Sequence, residues 1–238
     1  MTYRAAAGAD GAPSYDGRVV AAAGHALLLP RREHIRQVDH SDPLPYYYAP
    51  LTAWFYRRRL EMALDLLGAG PYQRILEAGY GSGILLRSLA VRAGEVYAVD
   101  RHQRTDLVAS MLHAESTPAS LMVGDVCSLA YADASFDAVV CISTLEHLHD
   151  TQLAAAVAEF HRVLRPHGLA VIGVPASGWV MDLLFRAIGF HEIDEHHLSA
   201  RSDIEHELRR HFQVEAVRHL PSIGPRRATL YSVFRCRR

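Results

Sequence analysis

Between Ile75 and Gly83 the chain reads ILEAGYGSG, an apolar run that closes on Glu77 and is followed by glycine at positions 79, 81 and 83, with Tyr80 among them. A carboxylate ahead of glycines at every second position suits a tight turn in which bare backbone approaches a ligand before a helix begins. The ligand that fits such a turn is a nucleotide. Asp100 ends a second apolar run, VYAVD, 17 positions after Gly83, and is followed by Arg101. A carboxylate there can accept hydrogen bonds from both ribose hydroxyls. A third run ends in Gly124-Asp125-Val126. Asp125 is spaced to accept from the exocyclic amine of an adenine, although an Asp at such a place also serves a turn. A fourth run, FDAVVCI, leads into Ser143–His149, STLEHLH, at the strand end where open α/β sheets hold their ligands. His147 is the candidate general base in this stretch, since imidazole titrates near neutrality; a capping or packing histidine is the alternative.

These residues need a parallel sheet to converge, and the pattern around them supplies one. Short apolar strands, at about 74–78, 95–100, 120–123, 137–142 and 169–174, alternate with helical stretches at about 83–92, 105–114 and 151–164. The last helix carries Leu153, Val157, Phe160, Val163 and Leu164 at helical spacing, with Asp150 as its expected cap and Pro166-His167-Gly168 as its stop. Ahead of the sheet, 51–67 reads as a helix with Trp54, Phe55, Leu60, Leu64, Leu66 and Leu67 on its apolar side and Arg57, Arg58, Arg59 and Glu61 on its polar side. Ser41–Pro50 is a proline-punctuated aromatic loop that excludes regular helix. Tyr46-Tyr47-Tyr48 and Trp54 either wall the pocket or pack in the core. After Pro175 come an apolar stretch, Trp179–Phe190, expected as a lid over the second substrate, the pair His196-His197, and a helix opened by a capping box at Ser202–Glu205. Two strands, at about 212–220 and 228–234, close the chain.

The expectation is therefore an α/β fold. It is a single Rossmann-like, doubly wound, mostly parallel seven-stranded sheet with an antiparallel last strand, helices on both faces, an N-terminal extension and a small helical cap. Residues 1–50 read as an arm, mobile to about Gly17, plus the aromatic loop. Residues 51–238 read as the domain, with the cap at about 176–200.

Composition narrows the function. The 238 residues carry 25 cationic and 26 acidic side chains, and a formal charge of −1 gives no footprint for duplex binding, so nucleic acid is not expected as partner. Every cation is Arg; without Lys there is no Schiff base, lysine base or phosphate-loop lysine. Cys127, Cys141 and Cys236 lack metal-knuckle spacing and suggest a reducing, cytoplasmic compartment. The run Val19–Leu29 is unlike a secretory signal, and no stretch reaches the ~18 apolar residues of a membrane span.

The succession ILEAGYGSG, VYAVD, GDV, FDAVVCISTLEHL and FHRVLRPHGLAVIGVP resembles the class I S-adenosylmethionine (SAM)-dependent methyltransferases, especially the methyltransferase type 11-like group similar to the ubiquinone and menaquinone biosynthesis enzymes. The likeness covers about Arg74–Val174, and the FDAVV and LRPHG blocks separate it from dinucleotide dehydrogenases. The resemblance implies SAM as cofactor and S-adenosylhomocysteine (SAH) as product. Glu77 would hold the methionine ammonium, Gly79, Tyr80, Gly81 and Gly83 would pass beneath the cofactor, and Asp100 with Arg101 would lie at the ribose. Asp125 and Val126 would frame adenine, with Ser143 also against the cofactor. Tyr80 departs from the smaller residue usual there and is expected to shape the site. Glu146-His147 is similar to part of a Glu-x-x-Glu-His pattern in metal-assisted relatives, but Ser143 replaces the first Glu, so no metal is expected. The acceptor would be a small molecule or a lipid-linked one, methylated at oxygen, nitrogen or carbon. The alternatives are a methyltransferase-like binding or regulatory subunit and an NAD-dependent oxidoreductase.

Overall fold

The computed structural model describes residues 2–4, 26–176, 198–222 and 229–238. The strands are β1 (Thr2–Arg4), β2 (Tyr72–Ala78), β3 (Ala93–Asp100), β4 (Ser120–Val123), β5 (Phe136–Ile142), β6 (Leu164–Pro175), β7 (Gln213–Leu220) and β8 (Tyr231–Arg237). They form one sheet in the order β1-β4-β3-β2-β5-β6-β8-β7. From β4 to β6 every neighbour is parallel, and β8 runs antiparallel to both β6 and β7. The seven strands expected are present. The sequence did not announce an eighth: Thr2–Arg4, inside the arm expected to be mobile, pairs antiparallel with β4.

Alternation along the central strands builds two cores. Ile75, Val96, Ala98, Ala138 and Val140 face helices α1 (Ala53–Leu67), α2 (Leu86–Ala90) and α3 (Thr105–Ala114). Leu76, Val99, Val139 and Cys141 face α4 (Asp150–Val163) and α5 (Arg201–His211). Strands covered on both faces lose the polar alternation of a half-exposed sheet, which is why these segments read as unbroken apolar runs. With β3 on one side of β2 and β5 on the other, the chain order reverses there and a crevice opens at the carboxyl ends of the strands.

Two helix starts differ from expectation. α4 is preceded by His149, with Asp150 already its first residue. α5 begins at Arg201, and Asp203 reaches back to accept the Ala200 amide at 3.1 Å, so the reciprocal contact sits two positions earlier than the Ser202 reading put it. β6 begins at Leu164, directly after α4, ahead of the Pro166–Gly168 stop. The aromatic loop contains one 3₁₀ turn, Leu44–Tyr47. Trp54 is 67% exposed and lies outside the core. The expected lid at 179–190 and His196-His197 lie outside the described residues.

Candidate functional site

Glu77, the penultimate residue of β2, is 4% exposed, and its Oε2 is buried without a hydrogen-bond partner. Burial, and after it the charge of Asp100, holds this carboxyl well above the usual carboxylate range. A buried carboxyl in that state receives a cation well: an ammonium brought against it supplies both the opposite charge and the missing hydrogen bond. Beyond it the chain turns with φ of 82° at Gly79 and 49° at Gly81. A Cβ on Gly79 would collide with the Thr144 side chain, so the turn is pressed against the loop after β5. A Cβ on Gly81 would meet no described residue within 4 Å, leaving that face of the turn open to a ligand.

Asp100, the last residue of β3, accepts the Gly81 amide on Oδ2 at 2.8 Å and the His102 amide on Oδ1 at 3.2 Å. The carboxylate is thus oriented while each oxygen keeps a lone pair for a ribose hydroxyl. His102 Nδ1 accepts the Arg104 amide at 3.1 Å, so Nε2 is the donor in its 2.9 Å contact with Gly81 O. Tyr80 is 2% exposed and packs against this imidazole, ring centroids 4.9 Å apart. Gly83 leads toward α2, with Val108 and Met111 of α3 close beside it. At the ends of β3 and β4, Arg101 and Asp125 are exposed and Val126 is buried; one Asp125 oxygen accepts the Cys127 amide at 2.8 Å.

Across the edge stands a group that the sequence reading put on the solvent side. Arg59 is 6% exposed. Tyr56, Leu60, Ala63 and Leu67 are buried at three- and four-residue intervals along α1, and Arg59 falls on that same face. Its guanidinium carbon lies 4.3 Å from the ring centroid of Tyr56 and 5.0 Å from that of Tyr231, with Phe55 and Tyr47 also beside it. Nη2 donates to Tyr47 OH at 3.1 Å and Nη1 to Ser143 Oγ at 3.4 Å, while Nε has no partner. Ser143, at φ 54°, shares a 2.8 Å hydrogen bond with Tyr231 OH.

Glu146, in the 3₁₀ turn Leu145–His147, is 3% exposed with Oε2 unpartnered. Burial pushes its carboxyl up to about 7 against the opposing pull of His147 and Arg59. Its backbone oxygen accepts the amides of Leu198 at 2.7 Å and Ser199 at 3.2 Å, which fastens the turn to the chain entering α5. His147 itself is exposed. Five buried side-chain atoms among the described residues lack a partner, and four belong to Arg59, Glu77, Tyr80 and Glu146; the fifth is Arg92 Nε. Folded proteins leave few such atoms, so four at one sheet edge point to a bound ligand.

A family described as a methyltransferase domain matches residues 76–172, the stretch from within β2 into β6 that carries the glycine turn, Asp100, Asp125 and Ser143–His147. Residues 76–172, under half of the chain, are thus similar to a methyltransferase domain. Over 165 residues it is 28% identical to a rice 24-methylenesterol C-methyltransferase, covering 66% of this chain and 43% of that one. Over 113 residues it is 33% identical to a ubiquinone biosynthesis O-methyltransferase of Alkalilimnicola ehrlichii, covering 46% and 44%. The alignments therefore span under half the length of both relatives. Among solved structures, the N-methyltransferase NodS from Bradyrhizobium japonicum, in complex with SAH, superposes with a TM-score of 0.62 at 20% identity, covering 85% of this chain and 94% of that one, a likeness of fold.

The residues present fit the cofactor of such methyltransferases, SAM. Glu77 Oε2 and Arg59 Nε, buried without partners among the described residues, offer a carboxyl and a guanidinium N–H to an amino-acid group, and Asp100 stands at the open side of the turn for a ribose. Arg59 and Tyr231 were not found from the sequence, and Glu146 only as part of a metal pattern. One signal was present: Arg59 occupies a position on the apolar face of its helix.

Proposed function

We propose that this chain transfers the methyl group of SAM to a small-molecule or lipid-linked acceptor. The observation that carries the reading is the buried, unpartnered Oε2 of Glu77 beneath a glycine turn whose backbone is open at Gly81. In this reading Glu77 takes the methionine ammonium, Arg59 the methionine carboxylate and Asp100 the ribose hydroxyls. Gly79, Gly81 and Gly83 underlie the cofactor, Asp125 and Val126 border the adenine, and Arg101 and Ser143 flank it.

When bound, the sulfonium supplies an already activated methyl group for in-line displacement. What the protein adds is alignment and the exclusion of water. Tyr47, Phe55, Tyr56 and Tyr231 form an aromatic wall around Arg59 next to Ser143. In this reading the acceptor sits on that side, near aromatic rings, which suits an organic molecule. The proton that leaves a hydroxyl, amine or acidic carbon passes to His147, whose exposed ring releases it to solvent.

The reading is tested by thermal melting with SAM, SAH and NADH. SAM and SAH should raise the melting temperature and NADH should not. A shift with NADH alone would overturn it. For His147, substitution by Ala should lower turnover about a hundredfold with SAM affinity unchanged. Unchanged turnover would refute its role.

A further inference from the structure

Tyr80 stands where the glycine turn of the resembled family usually has a smaller residue, and its hydroxyl, like Glu146 Oε2 at the other side of the crevice, is an unpartnered buried atom that no charge of the cofactor accounts for. The ring is 2% exposed and edge-on to His102. His102 is itself fixed through both nitrogens, to Gly81 O and the Arg104 amide. The aromatic pair therefore holds the phenol in one place. The backbone beside both rings is tied to Asp100, because the amide of the next residue, Gly81, and the amide of His102 both donate to the Asp100 carboxylate.

We propose that the Tyr80 hydroxyl is a cofactor-binding group of this chain, donating a hydrogen bond to a ribose oxygen of the nucleoside whose hydroxyls Asp100 accepts. The proposal rests on the SAM reading above and assigns a polar task to a position that needs only bare backbone for the turn itself. Burial, then Asp100 and Glu77, hold the phenol protonated, which leaves it a donor at every working pH. A buried donor without an acceptor destabilises a fold, whereas Phe at the same position would fill the same space without that penalty. Retaining the hydroxyl is explained by a ligand that satisfies it.

The test compares the native chain with Tyr80→Phe by calorimetric titration with SAH and with 5′-methylthioadenosine, which keeps the ribose and lacks the amino-acid arm. Melting of the ligand-free proteins serves as the second readout. Tyr80→Phe should bind both ligands about tenfold more weakly while its ligand-free melting temperature rises. A purely structural tyrosine would not combine weaker binding with a more stable apoprotein. Unchanged affinity for both ligands would overturn the proposal. Weakening confined to SAH would overturn the ribose placement. Failure of the native chain to bind SAH would instead sink the function reading, and this proposal with it.

Discussion

The two sides of the strand-end crevice are built from different material. On the side of β2 and β3 the ligand surface is mostly backbone and its immediate supports: a glycine turn, and a carboxylate held by two amides from within about 20 residues of chain. On the side of α1, β5 and β8 it is side chains brought from far apart, with Arg59 bonded to Ser143 and Ser143 to Tyr231 across separations of 84 and 88 residues. A backbone surface recognises what every family member shares, and a side-chain surface can be changed one residue at a time. The first side suits an invariant cofactor and the second a particular acceptor. Under the proposed function Arg59 serves both, reaching from the second side to take the methionine carboxylate.

The largest expected effect tests whether the acceptor side is as buried as it looks. Native Glu146 holds its proton up to about pH 7, against 4.5 for an ordinary glutamate. The folded state then binds more protons than the unfolded one across that window, so stability falls as pH rises through it, by up to about 3 kcal/mol, and the penalty is absent below pH 4.5. Thermal unfolding followed over this range should show the fall, and Glu146→Gln should lessen it without altering SAH affinity. An identical slope in the variant would remove Glu146 from the buried ionisable groups.

Next in size is the cofactor side. Glu77→Gln should weaken SAH binding about a hundredfold, the value of a charge-assisted hydrogen bond of nearly 3 kcal/mol. The ligand-free protein should melt no lower, since the native carboxyl has no partner there. Weaker melting together with intact affinity would make Glu77 structural. Smaller again is Arg59→Met, which should weaken SAH about tenfold and leave 5′-methylthioadenosine unaffected. Equal loss for both ligands would show that Arg59 acts through packing.

The same contrast explains what the sequence made legible. Glu77, the three glycines and Asp100 lie where strands end, and strand ends are marked by apolar runs that stop, so fold and cofactor side were readable together. Arg59 was misplaced because charge was read as exposure, although its spacing from Tyr56 and Ala63 puts it on the buried face. Tyr231 could not be found at all. Its role depends on β8 lying beside β6, a pairing between segments about 60 residues apart that no local pattern encodes. Glu146 was noticed only as part of a metal pattern, while its burial follows from Leu198 and Ser199 closing over the turn.

A crystal structure of the protein with SAH should show the ammonium within hydrogen-bonding distance of Glu77 Oε2, the carboxylate at Arg59 Nε and the ribose hydroxyls on Asp100. SAH bound with its amino-acid end away from Glu77 and Arg59, and both groups still unpartnered, would contradict that arrangement.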